Sequence, residues 1–140
     1  NVIANTVELE GSVRSLDEDM RDLVQERLSQ VAEGTAAANQ CEITIEYERG
    51  YPITDNNEEA TQHAISVASS VSEVDTDTPP IMPSEDFAYM LMEKPGAFIF
   101  LGNGDSQMLH NPEYIFDDEA IPFGSSWYAG MVEERLPITG

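Results

Sequence analysis

The chain has 140 residues, 41% of them hydrophobic and 24% charged, a balance that suits a globular protein with one ordinary core or two small ones. No stretch approaches the roughly 18 consecutive apolar residues needed to cross a bilayer, which excludes a helical membrane span. Asp and Glu number 27 against 6 Lys and Arg, for a formal charge of -21, which excludes the basic footprint that a nucleic-acid partner requires. Such acidity is also the composition of disordered chains. The regular apolar periodicity described below argues against that. We expect instead a folded, halophilic protein whose self-repulsion is screened by concentrated salt, with Lys94 as its single lysine. The lone Cys41 can form no internal disulfide, which points to a cytoplasmic location. No leader pattern opens the sequence. Asn1 stands where an initiator Met would, so a processed chain or a fragment is expected.

In chain order, Thr6 to Arg14 alternates, with Val7, Leu9, Gly11 and Val13 on one face and Glu8, Glu10, Ser12 and Arg14 on the other. That pattern predicts a half-buried strand. Ser15 followed by Glu18 gives a capping box. Met20, Leu23, Val24, Leu28 and Val31 then recur at helical spacing, so a helix is predicted over 16–33 with Gly34 as its stop. Ile43, Ile45 and Tyr47 alternate with polar neighbours and predict a second strand. A strand-helix-strand unit this small cannot bury its own apolar face and must complete its sheet elsewhere.

Gly50-Tyr51-Pro52 marks a boundary. A second helix is predicted over 57–73, with Ala60, Ala64, Val67, Ala68 and Val71 on one side. Residues 75–83 form a loop rich in Asp, Thr and Pro. Ser84 is the expected cap of a short helix opening on Glu85 and Asp86, which Pro95-Gly96 ends. The run 97–101 is continuously apolar and predicts a strand buried on both faces. Gly102-Asn103-Gly104 turns the chain into a loop over 105–117. A last helix is predicted over 119–136, with Phe123, Trp127, Met131 and Val132 inward. The fold class expected from these elements is α/β.

His110 lies in that loop, shortly after the apolar run. A neutral imidazole there could bind a metal; it could equally be a loop side chain bonded to backbone. His63, the other histidine, falls near the edge of a helix face and reads as partly exposed and structural. No complete catalytic constellation is present: there is no His-Glu-x-x-His, no paired cysteines, no phosphate-cradling glycine loop and no nucleophile elbow. Cys41 reads as a structural thiol.

Four motifs carry a resemblance. Asn1-Val2-Ile3 with Leu9-Glu10-Gly11-Ser12-Val13-Arg14, then Arg49-Gly50-Tyr51-Pro52, then Ser84-Glu85-Asp86-Phe87, then Phe100-Leu101-Gly102-Asn103-Gly104 with Leu109-His110-Asn111-Pro112 follow in order. In that order and spacing they resemble the zinc-dependent aminoacylase and carboxypeptidase family, in its branch of hippurate hydrolases and indole-acetyl-amino-acid amidohydrolases. Ala4 and Pro83 depart from the family's usual Pro and Gly, the second beside the expected substrate loop.

The resemblance implies the end of a lid domain that mediates homodimerisation over 1–50 and the C-terminal part of a metal-dependent catalytic domain over 51–140. It implies two divalent metal ions (zinc, manganese, cobalt or nickel), with His110 supplying one ligand. Asn1, Arg14 and Ser84 match substrate-binding positions, Arg14 pairing with the carboxylate of an N-acyl amino acid. The catalytic general base, a glutamate, has no counterpart in this chain, so the piece alone is expected to be inactive. The competing expectation is a non-catalytic dimerisation or binding module.

Overall fold

The expected α/β architecture is not what forms. The computed structural model describes residues 1–138, and among them there is no strand. The described elements are α1 (Glu18–Ala38), α2 (Glu58–Val71), α3 (Phe87–Glu93), a 3-10 turn (Asp118–Ala120) and α4 (Ile121–Arg135). The chain divides into two compact units, Asn1–Ile53 with Pro80–Ser84 and Thr54–Pro79 with Glu85–Gly140. No helix among the described residues is long and apolar enough to cross a membrane.

The first unit is built on α1. Its cap is Asp17, whose carboxylate accepts from the Met20 N–H at 2.8 Å, and not Ser15, which donates instead to the Asp17 carbonyl. The helix also passes through Gly34, the predicted stop, for four more residues. Gln40 ends it, at φ 56 in the left-handed region. The Cys41 N–H reaches back to the Ala36 carbonyl at 3.0 Å and the Gln40 N–H to Ala37 at 3.4 Å, which is a Schellman closure. Glutamine gives no cue for this conformation, whereas glycine does, so the pattern suggested the wrong stop. The thiol of Cys41 is exposed and not packed as expected.

Residues 6–14 and 43–47 do not form the predicted strands. Alternation sets which face of a segment is apolar; a strand also needs a second segment to share its ladder hydrogen bonds. Neither finds one, and Val7 and Leu9 stay 79% and 93% exposed. The segment approaching Gly50 is held to α1 by arginines instead. Arg21 donates to the Gly50 carbonyl at 2.8 Å, and Arg49 pairs with Asp22 and, at 3.7 Å, with Glu18. Exposed pairs of this kind contribute about 0–1 kcal/mol each. α1 itself has no buried residue.

The second unit holds all four buried hydrophobic residues described, Ala64, Val67, Ala88 and Ala120. Asn57 caps α2 by accepting from the Ala60 N–H at 3.0 Å. α2 then packs on α4 through Ala64 and Val67. Gly130 makes the approach possible, because a Cβ there would lie 2.7 Å from a methyl of Val67. The Trp127 indole N–H donates to the Ala64 carbonyl at 3.1 Å across the same contact. The face of α4 turned inward is thus Gly124, Trp127, Gly130 and Met131, while Phe123 and Val132, expected inward, are 44% and 58% exposed. Gly130 allows the backbones to close at Val67, while Trp127 and Met131 face inward as expected.

The run 97–101 is likewise not a buried strand, with Phe100 59% and Leu101 50% exposed. The Asn56 side chain takes the place of a neighbouring strand. Its Oδ1 accepts from the Phe98 N–H at 2.7 Å and its Nδ2–H donates to the Phe98 carbonyl at 2.9 Å. The Phe98 ring meets Phe87 at a tilt and Phe100 edge to face, at centroid distances of 5.8 and 5.3 Å. α3 starts three residues after Ser84. The Glu85 carboxylate accepts the Phe87 N–H at 3.2 Å, the bond expected of the Ser84 hydroxyl. No buried polar or charged residue occurs among those described, so the acids lie at the surface.

Candidate functional site

The two histidines differ in what their ring nitrogens do. His63, on α2, has both engaged: Nδ1 meets the Glu134 carboxylate and Nε2 lies 2.7 Å from Nη1 of Arg135. A guanidinium can only donate, so Nε2 is the acceptor and Nδ1 carries the proton toward Glu134. Glu59 completes the cluster at 3.8 Å from both His63 and Arg135. With its one available lone pair, on Nε2, taken by Arg135, His63 joins α2 to α4 and is not placed to serve as a ligand.

His110 is the opposite case. It is exposed, and its ring has no hydrogen bond or ion pair among the described residues. It sits at φ 68, a left-handed conformation that costs a non-glycine residue on the order of 1 kcal/mol. Everything around it is tied down. The Asn111 N–H bonds to the Met108 carbonyl at 3.1 Å, closing the turn that carries His110. A second turn follows, with the Tyr114 N–H on the Asn111 carbonyl at 3.0 Å and the Glu113 N–H on Asn111 Oδ1 at 2.9 Å. Ser106 Oγ accepts the Ile115 N–H at 2.9 Å. At the base, Asn103 Nδ2–H donates to the Ile115 carbonyl at 2.7 Å and Oδ1 accepts from the Asp117 N–H at 2.8 Å. A fixed loop thus presents one unpaired imidazole. That suits a metal ligand, since a neutral ring nitrogen needs only its lone pair and a defined aim. A closed site needs three or four such donors. No group of three or more His, Cys, Asp or Glu able to hold a metal occurs among the described residues.

Asn1, Arg14 and Ser84 belong to the first unit and His110 to the second. Asn1 and Ser84 are exposed. The Arg14 guanidinium donates to the Met82 carbonyl, so it meets the short segment that also carries Ser84. The sequence reading gave no hint of Met82, because the contact is to its backbone. Within the second unit, an open groove of about 310 Å³ is lined by Ser70, Val71, Pro122, Phe123 and Ser126. It offers no ionisable group and no hydrolytic chemistry.

Residues 4–134 match the family model for peptidase family M20/M25/M40. The chain belongs to that family. This M20/M25/M40 chain is 35% identical over 139 residues to a hippurate hydrolase of Campylobacter jejuni, covering 97% of the chain and 36% of the relative. To N-acetyldiaminopimelate deacetylases it is 33% identical over 138 residues in Pediococcus pentosaceus (97% and 36%) and 37% over 125 residues in Streptococcus suis (88% and 33%). It spans about a third of the length of these curated relatives. No solved structure matches it. The resemblance drawn from motif order alone led to this family.

Proposed function

We propose that this chain forms the C-terminal part of a two-metal amidohydrolase that cleaves the amide bond of N-acyl amino acids. The observation that supports it best is His110, a free imidazole held in a strained backbone conformation by a loop bonded at each turn. The relatives named hippurate hydrolase and N-acetyldiaminopimelate deacetylase point to acylated amino acids as the substrate class. Residues 1–50 would belong to a lid and 51–140 to the catalytic domain.

His110 would hold one of the two divalent ions through a ring nitrogen. When bound, those ions would supply an activated water and polarise the scissile carbonyl. No residue of this chain is assigned the general base, which falls to a glutamate elsewhere in the full-length protein. Arg14 would bind the carboxylate of the amino-acid product half. Its planar fork has donors to spare beyond the one given to Met82, and a carboxylate can take two of them in parallel. Asn1 would contact the substrate as well. Ser84 would flank it on the segment that Arg14 steadies. Met20, Leu23 and Val31, exposed along α1, support a homodimer through the lid.

The test uses the full-length protein in high salt with hippurate as substrate. Hydrolysis is expected, to be lost on dialysis against a chelator and restored by a divalent ion. Arg14→Ala should raise KM about 10–100-fold, the loss expected for a charge-assisted pair, with a smaller change in kcat. Hydrolysis that survives chelation would overturn the reading. An unchanged KM in the Arg14 variant would remove Arg14 from the substrate site.

A further inference from the structure

We infer that Asn103 is the positioning residue of the His110 ligand, acting through the backbone of its loop. The inference rests on the reading of His110 as a metal ligand. Asn103 makes its two bonds with opposite ends of one amide. Nδ2–H donates to the Ile115 carbonyl at 2.7 Å and Oδ1 accepts from the Asp117 N–H at 2.8 Å. It thereby clasps the outgoing arm of the loop to the incoming one. Gly104, next in the chain, is at φ 73 and lies against Asp117, 3.6 Å from its carboxylate to an ideal Cβ. Asp117 in turn caps the following 3-10 turn through the Glu119 N–H at 3.0 Å. The entry of the loop, its exit and the start of the α4 segment therefore meet at the Asn103 amide, which is half-buried while the loop tip is exposed.

A ligand at a loop tip is aimed by the loop's base. Among the described residues His110 has no side-chain partner to orient the ring. What the described residues supply to aim this ligand is backbone fixation of its loop. Alanine at 103 removes both bonds. Aspartate keeps the acceptor for Asp117 but sets a carboxylate oxygen against the Ile115 carbonyl, so one arm is released and the shape is nearly conserved.

The experiment uses the full-length enzyme with Asn103→Ala, Asn103→Asp and His110→Ala. Zinc affinity is measured by competition with a chromophoric chelator, and the visible spectrum is recorded with cobalt. Asn103→Ala and Asn103→Asp should each weaken one of the two ions about 10–100-fold and shift its cobalt bands, while thermal unfolding of the metal-free protein stays close to wild type. A purely structural role predicts the reverse, a lower unfolding temperature with affinity and cobalt bands unchanged, and that result would overturn the inference. Should the alanine variant not fold, the aspartate variant is read by the same criteria. If His110→Ala itself keeps both ions at wild-type affinity, the ligand reading fails; if it loses one while the Asn103 variants bind normally, only this inference fails.

Discussion

Replacing His110 with alanine in the full-length enzyme should lower kcat/KM for an N-acyl amino acid by about a thousandfold or more and reduce the bound metal from two ions to one. Loss of one ion removes several kcal/mol of charge stabilisation, and each 1.36 kcal/mol is a factor of ten in rate. A fall in activity alone would not separate a ligand from a fold-supporting residue. The φ of 68 at this position provides that separation. Glycine adopts this conformation freely, so His110→Gly should lose activity equally while gaining up to about 1 kcal/mol in stability, offset in part by its greater unfolded entropy. A β-branched residue cannot adopt it without strain, so His110→Val should lose both. Activity assays paired with urea unfolding of the metal-free protein decide the matter. Full metal content in the alanine variant would exclude His110 as a ligand.

Gly130→Ala should destabilise the full-length protein by about 1–3 kcal/mol, although alanine is the better helix former by about 1 kcal/mol. The added methyl would stand 2.7 Å from Val67, which is 6% exposed and packed between α2 and α4. Neither helix can retreat cheaply, because the Trp127 indole is bonded to the Ala64 carbonyl across the same contact. Gly34 provides the control. It is also helical, with nothing within 4 Å of an ideal Cβ, so Gly34→Ala should stabilise by roughly the propensity difference. Adding Val67→Ala to the Gly130 variant should recover part of the loss, a coupling on the order of 1 kcal/mol. Urea midpoints for the wild type, the Gly34, Gly130 and Val67 single variants and the Gly130/Val67 double variant check this, and strict additivity would remove the close approach as the cause.

Helices α1 and α2 could be read from the sequence because each carries its own signals: a 3.6-residue apolar rhythm and acids in its first turn. What escaped was set by contacts distant in the chain. The alternation over 6–14 and 43–47 names a face and no partner, and at 97–101 the partner of Phe98 is a side chain, Asn56, that no β pattern describes. The stop of α1 escaped because Gln40, and not Gly34, takes the left-handed position. On α4 Trp127 and Met131 face inward as expected, and what escaped was Gly124 and Gly130, glycines invisible to an apolar count. At the candidate site motif order singled out His110, whose role as a ligand is a proposal. The clasp at Asn103 was not legible, since its partners lie 12 and 14 residues away.

The unequal state of the two imidazoles has a chemical consequence. In carbethoxylation a free imidazole nitrogen lone pair attacks a carbonyl of diethyl pyrocarbonate, expelling ethyl carbonate, which breaks down to ethanol and carbon dioxide. In His63 one ring nitrogen carries the proton toward Glu134 and the other faces the Arg135 guanidinium. In this part of the polypeptide the reagent should therefore tag His110 and spare His63 in the metal-free protein. Zinc should block the tag, so that fragmentation mass spectrometry locating the carbethoxyl group on His110 reports occupancy without altering the sequence.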